Sequence, residues 1–82
     1  VKVRVLYFAA VRDLVGRDEE IVDLPPPVLD VGALRAWLEA SREALAGRLG
    51  SVRLARNEAF AGDGERLEEG DVIALIPPVA GG

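Results

Sequence analysis

The chain has 82 residues, half of them hydrophobic, with a formal charge of −4 and neither cysteine nor histidine. That length suits one small domain, taken as residues 1–82, and the missing residue types exclude disulfides, thiolate chemistry, and the commonest metal ligand and general base, so no metal site is expected. The longest apolar run falls far short of the ~20 residues that span a bilayer and no N-terminal signal pattern is present, so a soluble, cytoplasmic protein with no membrane partner is the expectation.

Charge is uneven. From Ser51 to Gly82 six acids (Glu58, Asp63, Glu65, Glu68, Glu69, Asp71) stand against three arginines (Arg53, Arg56, Arg66). Nucleic acid needs a basic footprint, so it is not an expected partner. The acidic stretch reads either as a solvated loop or as a surface for a basic protein.

Val1 to Ala9 opens in strict alternation: Val1, Val3, Val5 and Tyr7 share one face, Lys2 and Arg4 the other, followed there by Leu6 and Phe8. This predicts a strand that becomes apolar on both faces as it nears the sheet centre. Ala9 to Val15 changes period; Val11, Leu14 and Val15 fit one helical turn and Gly16 fits a C-terminal stop. Glu19 to Leu24, bounded by Pro25-Pro26-Pro27, reads as an edge strand antiparallel to the first. Asp30 is placed to cap a long helix. Its apolar stripe is Val31, Leu34, Leu38 and Leu45, with Trp37 beside it; Arg35, Glu39, Arg42 and Glu43 take the opposite side, Arg35–Glu39 as an i,i+4 pair. Gly47 and Gly50 are expected to end it.

Val52 to Arg56 is a third strand, Asn57-Glu58 a turn, Ala59 to Ala61 a short fourth strand. Val72 to Ile76 is five apolar residues in a row and reads as a strand buried on both faces. Pro77 and Pro78 stop it, since neither donates a ladder hydrogen bond. Leu6–Phe8 and Val72–Ile76 both belong in the sheet centre, as parallel neighbours, with the long helix across one face. This is an α+β, β-grasp (ubiquitin-like) fold of four to five strands. Its other face keeps exposed apolar area, a docking surface for a partner. Tyr7, Phe8, Trp37 and Phe60 are read first as core, with Phe60 a partner contact if it proves exposed. Arg12 and Asp13 are read as a helix-surface pair or as docking residues. The docking candidates are Phe8, Arg12, Phe60 and Ile76.

The chain finishes on Pro77-Pro78-Val79-Ala80-Gly81-Gly82. Fully extended, six residues reach roughly 20 Å. With no Cβ on Gly81 or Gly82, a narrow site on another protein can close around this flexible tail and meet the carboxylate of Gly82.

Several stretches together resemble the molybdopterin synthase small subunit (MoaD) family. Tyr7-Phe8-Ala9-Ala10-Val11-Arg12-Asp13-Leu14-Val15-Gly16 is similar to its F-F-A-x-[VL]-R-[ED]-x-x-G signature, with Tyr7 where Phe is usual. Val31-x-x-Leu34 resembles the start of its helix, and Asn57 matches the Asn of its hairpin. Leu67-x-x-Gly70-Asp71-Val72 followed by Ile76 to Gly82 resembles L-x-[DE]-G-D-x-V-x-x-[FIL]-P-P-V-[STA]-G-G. Gly32, where a helix former is common, and Arg56, where Val is frequent, depart from the pattern.

The resemblance implies a sulfur carrier that acts only in complex. A MoeB-type adenylating enzyme would use ATP to activate Gly82, and a sulfur donor would convert the acyl-adenylate to a thiocarboxylate. The loaded tail would then enter the MoaE-type large subunit of molybdopterin synthase, a heterotetramer, to build the dithiolene of molybdopterin from cyclic pyranopterin monophosphate. No cofactor is expected to be bound. Gly82 is the reacting residue, with Gly81, Ala80, Val79, Pro78 and Pro77 as its tail. The alternatives are a ThiS-type thiamine sulfur carrier, a ubiquitin-like modifier of lysines, and a plain interaction domain. A free-standing enzyme lacks a nucleophile–base constellation, since Ser41 and Ser51 are the only aliphatic hydroxyls.

Overall fold

The computed structural model describes residues 1–78. Strands β1 (Lys2–Tyr7), β2 (Glu19–Asp23), β3 (Arg53–Arg56), β4 (Ala59–Phe60) and β5 (Val72–Ile76) form one sheet in the order β2-β1-β5-β3-β4. β1 and β5 are parallel neighbours at its centre, and the other pairings are antiparallel. Helix α1 (Ala9–Val15) follows β1, and α2 (Val31–Ser41) follows β2. This is the mixed β-grasp sheet expected from the alternation of apolar residues.

Each element has a local cause. Gly16 ends α1 in the left-handed region at φ 84°, and its N–H reaches the Arg12 carbonyl at 2.8 Å. The carboxylate of Asp30 caps α2 by accepting from the Ala33 N–H at 2.8 Å. Asn57 and Glu58, at φ 50° and 72°, make the two-residue turn between β3 and β4; two successive positive φ values give a turn whose twist matches the right-handed twist of the flanking strands.

One core holds Val3, Val5 and Tyr7 of β1, Ile73 and Leu75 of β5 and Leu54 of β3 together with Val31, Leu34 and Leu38 of α2. Under its edge Tyr7 donates to the Glu20 carboxylate, and Arg42 holds the same carboxylate through Nη2 at 2.6 Å and Nε at 3.3 Å. The Arg42 guanidinium keeps the Glu20 carboxyl below its ordinary range. Burial, helped by Glu20, pushes the Tyr7 phenol up.

Several expectations are corrected. Helix α2 ends at Ser41, well before Gly47. Arg42 is extended, at φ −121° and ψ 109°, and a separate 3-10 turn, Glu43–Leu45, carries Leu45 into the core. The ion pair with Glu20, together with the stacking of Arg42 over Trp37 at 5.0 Å, holds the chain out of the helix there. Arg35 does not pair with Glu39. It turns to the loop and donates to the Leu49 and Val52 carbonyls, while Glu39 accepts from the Leu49 N–H. Strand β1 stops at Tyr7, and Phe8 is 45% exposed rather than core. β5 is buried on one face only: Ile73 and Leu75 are covered, whereas Val72, Ala74 and Ile76 are half-buried, because α2 has no counterpart on the opposite side.

Candidate functional site at the open sheet face and tail root

The uncovered face has a shape dictated by residue size. Register places Leu6 beside Ala74, Ala74 beside Ala55, and Ala55 beside Phe60. Two alanines at the middle of this row, between a leucine and a phenylalanine, leave a depression. It is an open concavity of about 550 Å³, lined also by Phe8, Val72 and Ile76. Phe60 is 56% exposed, the condition under which it counts as a partner contact rather than core. Phe8 stands out from the fold in the same way. The chain leaves it through Ala9 at φ 47°, a left-handed conformation that costs a non-glycine residue about 1 kcal/mol.

Three of the four docking candidates, Phe8, Phe60 and Ile76, are thus brought together. Arg12 is not among the residues around the concavity. It lies exposed on α1 with its Nε 3.9 Å from Asp18, and it forms no pair with Asp13. Ile76 is the last residue of β5, Pro77 is half-buried and Pro78 exposed. The tail therefore leaves the sheet from the rim of the apolar concavity. Val79, Ala80, Gly81 and Gly82, including the proposed reacting residue, lie outside the described residues.

The sequence reading missed the clamp that holds β5 at its other end. Asp71, 5% exposed, sits just before the strand. It accepts from Arg56 Nε at 2.6 Å, from Asn57 Nδ2 at 3.0 Å and from the Glu68 N–H at 2.7 Å. Asn57 Oδ1 in turn accepts from the Val72 N–H at 2.9 Å. Burial raises the Asp71 carboxyl, but Arg56, Asn57 and the Glu68 N–H outweigh it and leave it below the usual range. Asp71 likewise raises the Arg56 guanidinium. The available signal is Arg56-Asn57 at the end of one strand facing an Asp at the start of its neighbour.

No helix among the described residues is long and apolar enough to cross a membrane. The clamp fixes the start of β5, and the concavity runs along the uncovered face of the same strand as far as Ile76.

The family model described as "ThiS family" matches residues 5–82. The molybdopterin synthase sulfur carrier subunit of Escherichia coli (strain K12) is 35% identical, over 98% of this chain and 99% of that one. Among solved structures, a putative molybdopterin converting factor, subunit 1, from Pyrococcus furiosus is 33% identical, covering 96% of this chain and 99% of its own, with a TM-score of 0.84. SAMP1, a small archaeal modifier protein of Haloferax volcanii, is 28% identical over the whole of both chains, with a TM-score of 0.85. A structure from Helicobacter pylori 26695, described as the complex of subunits 1 and 2 of molybdopterin-converting factor, is 30% identical over the whole of both chains at a TM-score of 0.71. Matched by one family model along almost its whole length, and by a relative above 30% identity from end to end, this chain belongs to the ThiS family and to its molybdopterin synthase small-subunit members.

Proposed function

We propose that this chain is the sulfur-carrier subunit of a molybdopterin synthase. The observation that carries the reading is the apolar concavity reaching to Ile76, immediately before the tail, in a chain aligned end to end with a sulfur carrier subunit. The solved complex of subunits 1 and 2 of a molybdopterin-converting factor supports a large subunit as the partner, and the apolar concavity is the face we assign to it.

In this reading Gly82 is the acyl carrier. Its carboxylate is inert at neutral pH until coupled to a good leaving group. A partner of the MoeB type attacks ATP with that carboxylate, releasing pyrophosphate and leaving an acyl-adenylate. A sulfur donor then displaces AMP and leaves a thiocarboxylate. The carrier needs no cysteine and binds no cofactor of its own. Two loaded carriers serve the two sulfurs of one dithiolene, in a cytoplasmic heterotetramer with the large subunit. The concavity supplies binding area away from the reacting atom, so that the tail can stay thin where the chemistry occurs.

Intact mass after incubation with ATP, the adenylating enzyme and a sulfide source tests the reading. The expected result is replacement of one oxygen by sulfur at Gly82, reversed on adding the large subunit and precursor. Deleting Gly82 should abolish both changes while the far-ultraviolet spectrum and unfolding midpoint stay as they were. An unchanged mass under loading conditions overturns the carrier role. The likeness to SAMP1 favours one second reading, attachment of the same tail to lysines of other proteins. Lysine-linked adducts in cells, with no thiocarboxylate, would decide for it.

A further inference from the structure

The open face carries a cation without an ion pair at the end where the tail leaves the sheet. Arg53 begins β3 and lies opposite Ile76 in the β3–β5 register, beside the point where the tail leaves the sheet. It is two residues from Ala55, which lines the concavity, and so points to the same face. Its guanidinium carbon stands 3.7 Å from the centroid of the Phe60 ring.

Five arginines are matched by carboxylates: Arg4 by Glu19, Arg12 by Asp18, Arg35 by Asp63, Arg42 by Glu20 and Arg56 by Asp71; of the four that are not (Arg17, Arg48, Arg53 and Arg66), Arg53 is the one placed on β3 opposite Ile76. Arg53 is exposed and has no carboxylate within ion-pair distance among the described residues. Stacking on Phe60 already restricts its rotamers, which lowers the ordering cost of a further contact. A planar guanidinium so held suits a carboxylate better than a point charge does.

We propose that Arg53 is a specificity residue of the docking face, pairing with a carboxylate side chain of the large-subunit partner where the tail enters it. This rests on the docking reading above. A nucleotide phosphate is the other anion the cation could meet. Six residues follow Ile76, ending at Gly82, a reach of up to roughly 20 Å, which puts an acyl-adenylate at the end of the tail rather than at its root.

The test measures binding of the whole chain to its purified large subunit by calorimetry, at low and at high salt. Arg53→Gln should weaken the low-salt Kd by about three- to fivefold and flatten its salt dependence, with the unfolding midpoint unchanged. Arg53→Lys should restore the salt dependence. Phe60→Asp, run alongside, should abolish binding. If Phe60→Asp does so while Arg53→Gln keeps the native Kd and salt slope, the pairing is wrong and the docking face stands. If both variants bind like the native chain, the docking face itself is wrong. Equal weakening by Gln and Lys with a native salt slope would assign Arg53 to packing on Phe60 and overturn the pairing.

Discussion

Gly32 sits in the first turn of α2, where a helix former would raise intrinsic helix stability by up to about 1 kcal/mol. The structure gives the reason it stays a glycine. Its N–H donates to the Asp63 carbonyl at 2.8 Å, and a Cβ there would stand 2.9 Å from the Asp63 Cβ and 3.2 Å from its carbonyl oxygen. Gly32→Ala is therefore expected to destabilise by about 1–2 kcal/mol, where propensity alone predicts the opposite sign. Chemical denaturation decides, and a stabilised variant would mean that the Asp63 loop yields freely. Arg56 is the other departure from the family pattern, and it too is explained by contact, since its guanidinium reaches Asp71, Glu65 and Glu68. Asp71→Asn leaves that cation without its buried partner and is expected to cost about 2 kcal/mol. Hydrogen exchange at the Val72 amide should rise with it, because Asn57 loses one of the contacts that hold it on that N–H. Native protection at Val72 in the variant would show that Asn57 holds the strand unaided.

At the scale of elements, what was legible in the sequence was whatever periodicity and capping determine locally. The alternation of Val3, Val5 and Tyr7, the Asp30 cap, the Gly16 stop and the proline boundary of β5 all reappear as read. The parallel pairing of β1 with β5 was legible because two strands rich in apolar residues must share the sheet centre. The end of α2 was not, because helical spacing from Leu38 carries on to Leu45. What breaks it is a tertiary ion pair between Arg42 and Glu20 on another element, which no local pattern encodes. β5 failed for a related reason: an apolar run shows that both faces tolerate burial, not that a second layer exists to bury them. The missing second layer is what leaves the concavity open. Its depth depends on Ala74 and Ala55 lying side by side across two strands, a register known only once the sheet is assembled. The reading of the tail rests on residue type alone, since Val79 to Gly82 lie outside the described residues.

For the whole molecule, the charges that matter to folding are few and nearly all of one kind. With no histidine, no side chain of ordinary pKa changes charge between about pH 5 and 8, so stability should be flat through neutrality. Two of the carboxylates tied into the fold, Glu20 under Arg42 and Asp71 under Arg56 and Asn57, are held below their ordinary values. A carboxyl whose folded pKa is depressed binds protons more weakly in the folded state than in the unfolded one. Its contribution is fully present above the unfolded value, about 4, and is lost as pH falls through the folded value. The unfolding midpoint should therefore hold steady from pH 8 to about 5 and fall steeply below about 4. Asp71→Asn should start lower and fall less, since one of the two linked protons is gone. Circular dichroism melts across that range test it. A decline that sets in well above pH 5, or an Asp71→Asn curve parallel to the native one, would mean that the acid sensitivity arises from groups other than these two clamps.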